Sequence, residues 1–228
     1  MAFAQDKQTS PFTTAELRRR AARFLTPPRE RIAADGDIRL GSSDFTLNPE
    51  LKHMFAARED RRDAAVLVPV IDRVGGATVL FTKRSEALPT HAGQISFPGG
   101  KMDPGDANIM ETAFRETKEE IGLDADFIDP VGFMEDYVTG SGFQIAPLVA
   151  VISEGFEITP DYNEVDEVFE VPLSFLMNSR NHEIHSREWR GAQRLFYAMP
   201  YEERFIWGAT AGMLRSLYES LYSADARE

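Results

Sequence analysis

The chain has 228 residues, 43% of them hydrophobic, enough for one well-buried globular domain with an extension. Its formal net charge of −12 argues against nonspecific attraction to nucleic acid or anionic lipid, so an anionic substrate would need a counter-charge, most simply a divalent metal. Cysteine is absent, which excludes disulfides, thiolate catalysis and cysteine-ligated zinc and fits a reducing cytoplasm.

The N-terminus lacks a basic region followed by a long apolar core, and the longest apolar run, residues 64–71, is too short to span a bilayer, so a cytoplasmic protein is expected. Residues 14–25, "TAELRRRAARFL", put Leu17, Ala21, Phe24 and Leu25 at helical spacing between a threonine and Thr-Pro-Pro, which predicts a helix. From 27 to about 63 the pattern loses periodicity among Pro, Gly, Ser, Asp and Arg. Residues 1–62 therefore read as a helix plus loop-rich extension, and 63–224 as the main domain. That domain opens with "AAVLVPVIDRVGGATVLFTKR", two β-branched runs around Gly75-Gly76 that predict a hairpin. Further strands are expected at 128–134, 145–152, 183–189 and 194–199, and helices at 108–121, 173–177 and 205–222. Strands interleaved with a few helices predict a mixed α/β or α+β sandwich.

The stretch "GGKMDPGDANIMETAFRETKEEIG" at 99–122 carries the chemistry. Asn108 and Glu111 have the spacing of a capping pair, and Gly122 is placed to end the helix in a left-handed conformation. Met110, Phe114, Thr117 and Ile121 fall on one stripe, and Glu116, Glu119 and Glu120 on another. Taken alone, three glutamates on a helix describe a solvated acidic face. Carboxylates at these spacings repel unless cations intervene, however, and hard oxygen donors suit Mg²⁺ or Mn²⁺. Arg115 can offset part of the repulsion by pairing with a neighbouring carboxylate. The paired glycines upstream let the backbone turn sharply against a metal or phosphate.

These residues resemble the Nudix hydrolase signature, G-x5-E-x7-R-E-U-x-E-E-x-G-U, in which U is a bulky apolar residue: Gly100 opens it, Arg115-Glu116 and Glu119-Glu120 form its middle, and Gly122-Leu123 closes it. Asp106 stands for the first glutamate, eight rather than seven residues precede Arg115, and Thr117 takes the first apolar position. Such a lengthened box resembles that of Nudix coenzyme A pyrophosphatases. So does "LFTKRSEALPTHAGQISFPGG", which matches their upstream motif at Leu80, Thr82, Arg84, Ser85, Gly93, Phe97, Pro98, Gly99 and Gly100. The likeness continues through "YVTGSGFQIAPLVAVI", "NEVDEVFEVPLSFL" and "IWGATAGML", and so covers about residues 64–222. One position departs: the second arginine of the upstream motif is Pro89, which leaves the substrate open.

The resemblance implies a Nudix-type α/β/α sandwich with a mixed β-sheet and a catalytic loop-helix-loop. It also implies metal-dependent hydrolysis, with Mg²⁺ or Mn²⁺, of the diphosphate of coenzyme A or an acyl-CoA to 3′,5′-ADP and a 4′-phosphopantetheine. The alternatives are a Nudix diphosphatase for another nucleoside diphosphate linked to a group X, such as ADP-ribose or a dinucleotide, and a non-catalytic nucleotide-binding module. By the same resemblance Glu116, Glu120 and Glu119 are the implied metal ligands, with the Gly99 carbonyl, and Arg115 orients the carboxylates. The general base is Glu116, Glu164 or Glu167, the latter two lying in an acidic stretch that reads equally well as surface charge. Arg84, Phe97, Gly99, Gly100 and Lys101 are the substrate-binding candidates, and Phe143 is a second candidate for the pocket wall. His91 reads as either a ligand or a structural histidine. His182 and His185 read as surface residues facing opposite sides of a strand. The partner expected is a small nucleotide-type molecule, with no nucleic acid and no membrane; a homodimer is implied only by family resemblance.

Overall fold

The computed structural model describes residues 10–33, 40–54, 60–189 and 191–223. A ten-residue central strand organises it. β2 (Arg62–Ile71) runs parallel to β8 (Phe143–Ile152), in register from Arg62 opposite Phe143 to Ile71 opposite Ile152. On its other edge β2 pairs antiparallel with β5 (Gly99–Lys101) through its first half and with β3 (Thr78–Arg84) through its last residues. β3 continues to β4 (Ile95–Ser96) and β9 (Val165–Pro172), while β8 takes β6 (Ile128–Phe133) and β7 (Asp136–Val138), and β1 (Leu40–Ser43) adds to β7 in parallel. A separate small antiparallel sheet holds β10 (Glu183–Trp189), β11 (Ala192–Tyr201) and β12 (Arg204–Trp207).

β2 is buried along almost its whole length because both faces of the sheet are covered. Ala65, Leu67 and Ile71 join Ala113 and Ile121 of α3 (Ile109–Ile121) on one side. Val66, Val68 and Val70 join Leu17 of α1 (Thr14–Phe24) and Leu214 and Leu217 of α5 (Ala209–Leu221) on the other. The result is an α/β/α sandwich with a mixed sheet, as expected.

The structure corrects several expectations. The stretch 27–63 contains α2 (Pro28–Ala33), β1, a 3₁₀ turn (Pro49–Met54) and the start of β2, while 34–39 and 55–59 lie outside the described residues. The helix expected over 205–222 begins at Ala209. Before it, β12 buries Ile206 by pairing with β11, and Gly208 turns the chain at a φ of +67°. The acidic run "DEVFEV" is a strand, β9, whose Val165, Phe169 and Val171 face the core while charged residues alternate with them. α4 (Leu173–Leu176) follows immediately.

Candidate active site

α3 is a well-defined helix because both ends are chemically specified. The Asn108 side chain accepts the amides of Met110 and Glu111, and Gly122 closes the helix in the left-handed region at φ +72°. Glu111 reaches back to the amide of Ala107, a variant of the expected capping pair. The helix lies along β2 and β5, and this brings the glycine loop against the glutamates. Gly99 adopts φ +148° with its Cα pressed against Ala65 and Val66, where no Cβ fits; a Cβ on Gly100 would overlap the Glu116 carboxylate. The two glycines thus serve different ends, one for backbone approach and one for side-chain room.

Glu120 does not lie on an acidic solvent face. It is 2% exposed, turned inward with Thr117 and Ile121, and this corrects the expectation that the three glutamates share one open surface. Its Oε2 accepts the Gly99 amide at 3.2 Å and its Oε1 lies 3.6 Å from Arg84 Nη1. Burial pushes its carboxyl up to about 8 despite both contacts, and Glu116 and Glu164 add repulsion. Glu116 is half-buried, and burial raises it as well, against the pull of Arg115.

Arg115 binds almost every other carboxylate of the box. Its Nε and Nη2 grip Asp106 at 2.8 and 2.9 Å, its Nη1 reaches Glu116 at 2.9 Å and Glu119 at 3.0 Å, and Nη2 also donates to the Lys101 carbonyl at 3.2 Å. The fork geometry explains why arginine stands here. Asp106 is held well below the usual carboxylate range by Arg115, helped by the Asp103 amide and Thr112. Asp106 therefore anchors the loop to the helix.

The other predicted residues separate. The Glu164 carbonyl accepts the Ser85 amide at 2.8 Å, and its carboxylate is near enough to repel both Glu116 and Glu120. Glu167 is elsewhere: it pairs with Arg204, whose guanidinium covers Phe169, so it belongs to the face opposite α3. Lys101 is exposed and enters the network only through its carbonyl, and Lys83 pairs with Glu86. Phe97 is core, stacked on Phe81 at 5.1 Å, yet it also lines the cleft described below. His91 bonds Gln94, and His185 stacks on Phe196. His182 precedes the strand rather than lying on it, with its Nε2 2.7 Å from the Leu176 carbonyl.

A cleft of about 450 Å³ begins at Arg84 and Gly99, directly beside Glu120, and extends to Phe143 of the main sheet and to Arg187, Phe196 and Trp207 of the small sheet. The small-sheet residues escaped sequence reasoning, because nothing in their spacing says that β10 to β12 fold over the box; "IWGATAGML" was the only signal, and it came by resemblance.

Among the described residues no group of three His, Asp or Glu side chains is assembled to cage an ion, and Arg115 keeps Glu116 and Glu119 turned toward itself. The donor set still fits a hard divalent cation. Glu120 is a buried carboxylate whose charge Arg84 and one amide only partly compensate, and a second carboxylate stands one helical turn away.

The family model for the NUDIX domain matches residues 60–203. The chain is 38% identical over 182 residues to an uncharacterized Nudix hydrolase NudL of Yersinia enterocolitica, covering 78% of this chain and 90% of that protein. It is 36% identical over 158 residues to NudL of Citrobacter koseri, covering 69% and 82%. Among solved structures, a NUDIX hydrolase from Alicyclobacillus acidocaldarius aligns with a TM-score of 0.48 at 18% identity, over 75% of this chain and 98% of that one. The glycine loop, the arginine-bound acidic helix and this match over most of the sequence place the chain in the Nudix family, as a pyrophosphohydrolase of nucleoside diphosphate derivatives.

Proposed function

We propose that this hydrolase cleaves the diphosphate of coenzyme A or an acyl-CoA, giving 3′,5′-ADP and the corresponding 4′-phosphopantetheine, with Mg²⁺ or Mn²⁺ and in the cytoplasm. The observation that carries the reading is the position of Arg84 and Gly99. Both belong to the upstream stretch that resembles the coenzyme A subfamily, both touch Glu120, and both line the cleft. A diphosphate seated at that junction would have its charge next to the box and its organic arms along the cleft.

Glu116, Glu119 and Glu120, with the Gly99 carbonyl, are the residues that would hold the metal. When bound, the metal supplies charge neutralisation for the diphosphate and lowers the pKa of a bound water. The chain's own work is positioning. Arg115 holds Asp106, Glu116 and Glu119 in one fork, Arg84 lies between Glu120 and the cleft to meet a phosphate oxygen, and Gly99 and Gly100 keep the approach open. Glu164 is the better base candidate of the two in its acidic stretch, since it faces Glu116 and Glu120 whereas Glu167 is committed to Arg204.

Pro89, which is exposed and uncharged, keeps a second reading open: another nucleoside diphosphate such as ADP-ribose or a dinucleotide. Chromatographic identification of products from coenzyme A, ADP-ribose and a dinucleotide separates the two. Preferential release of 3′,5′-ADP from coenzyme A supports the first reading; coenzyme A left intact while another substrate is cleaved replaces it with the second.

A further inference from the structure

The end of the cleft remote from the carboxylates has a charge distribution that hydrolysis alone does not require. Three arginines line the cleft. Arg84 faces Glu120, and Arg194 is buried against Asp44 with Nη2 2.8 Å from Oδ2, so a carboxylate meets each of them. Arg187 is exposed and has no carboxylate partner among the described residues; its guanidinium lies 4.7 Å from the centre of the Trp207 ring.

Strand register explains the arrangement. Arg187 stands opposite Arg194 and His185 opposite Phe196 in the β10–β11 pair, and Ala198 opposite Trp207 in the β11–β12 pair. Directly opposed residues share a face, so Arg187, Arg194, Phe196 and Trp207 leave the small sheet on the same side, toward the cleft. Phe196 and Trp207 meet edge-on at 5.3 Å. Like charges directly across a strand pair are unfavourable. Asp44 relieves Arg194, and Arg187 remains as an uncompensated cation beside an aromatic platform, in a chain whose net charge is −12.

A forked guanidinium next to stacking surfaces is the chemistry that recognises a phosphomonoester on a nucleoside. We propose that Arg187 is a specificity-determining residue that binds a phosphate on the ribose of the substrate, with Trp207 and Phe196 receiving the base. The substrate class is then nucleoside diphosphate derivatives that also carry a 3′-phosphate. This deepens the coenzyme A reading and rests on it. Where the upstream motif of that subfamily has a second arginine this chain has Pro89, in the loop between β3 and β4, and Arg187 brings a cation to the cleft from β10.

The test compares coenzyme A with 3′-dephospho-coenzyme A as substrates for the wild type, Arg187→Gln and Arg187→Lys. Loss of one charge-assisted phosphate contact at an exposed site corresponds to about tenfold in kcat/KM. The wild type should prefer coenzyme A by that factor through KM. Arg187→Gln should bring the two substrates to near parity by weakening coenzyme A alone, and Arg187→Lys should restore part of the preference. Equal loss on both substrates would make Arg187 a support for Trp207 and overturn the proposal, as would a wild type that does not discriminate. If neither compound is cleaved while another nucleoside diphosphate is, the coenzyme A reading fails by itself. Calorimetric binding of 3′,5′-ADP against 5′-AMP then decides the role of Arg187: tighter binding of the bisphosphate that Arg187→Gln abolishes supports it, and equal binding overturns it.

Discussion

At Gly100 and Glu120 the geometry of the proposed site depends on single residues. A Cβ at position 100 would occupy the place of the Glu116 carboxylate, which is the far end of a flexible side chain, and no positive φ constrains the backbone there. Gly100→Ala is therefore expected to fold with little change in Tm while, if Glu116 has the proposed role, kcat falls by about 100-fold through its displacement. Circular dichroism melting and turnover, measured on one preparation, check both halves. Glu120 makes the complementary case. Its charge is costly to bury, so in chelator Glu120→Gln should melt at or above the wild-type temperature. Arg115, Glu116, Glu119 and Glu120 were picked out in the sequence by their resemblance to the Nudix signature, since their spacing alone describes a solvated acidic face. The burial of Glu120 was not, because helical periodicity groups it with its acidic neighbours and only the packing of α3 on β2 and β5 turns it inward. The grip of Arg115 on Asp106 likewise depends on a loop closing across nine positions.

At the scale of elements, the box depends on α3 keeping its start. Asn108→Ala removes the acceptor of two amides and should cost about 1 kcal/mol, a fall in Tm of about 2–4 °C for a chain of this size. Urea unfolding checks it, with activity per folded molecule retained because the glutamates lie in the later turns. The elements with clear periodicity or turn chemistry, α1, α3, β6, β8 and the β2–β3 hairpin, were all readable. β9 was hidden because its outward positions are acidic, and β12 because "ERFIWGATAGML" runs from strand to helix across a single glycine. β10 and β11 of the small sheet were legible as strands, but the position of the sheet over the cleft was not, since register and docking arise from pairing between distant segments.

The whole molecule is held together partly by the segment that precedes the glycine loop and α3 in the chain. Leu17 is fully buried between the sheet and α5, Arg20 donates to the Leu221 carbonyl at 2.7 Å and stacks on Tyr222, and Phe12 stacks on the same ring at 5.7 Å. Leu17→Ala should cost about 2–5 kcal/mol. A fall in urea midpoint with an unchanged slope would show that α1 belongs to the cooperative core. His182 supplies a pH dependence. Burial pulls its imidazole below the ordinary 6.5, so its contribution to stability is present above that unfolded value and is lost as pH falls through the lower folded value. The wild type should lose more stability than His182→Gln on going from about pH 7.5 to about pH 5.5, and thermal melts of the two at both pH values test the difference.

The most direct test of the account is turnover of coenzyme A as Mg²⁺ or Mn²⁺ is titrated into metal-free wild type and Glu120→Gln. Product formation should rise with metal in the wild type, stop on chelation, and be lower by about 100-fold or more in the variant, the loss that follows removal of one charge-stabilising group. Undiminished turnover by a folded Glu120→Gln, or turnover in the wild type that is indifferent to metal, would contradict the account.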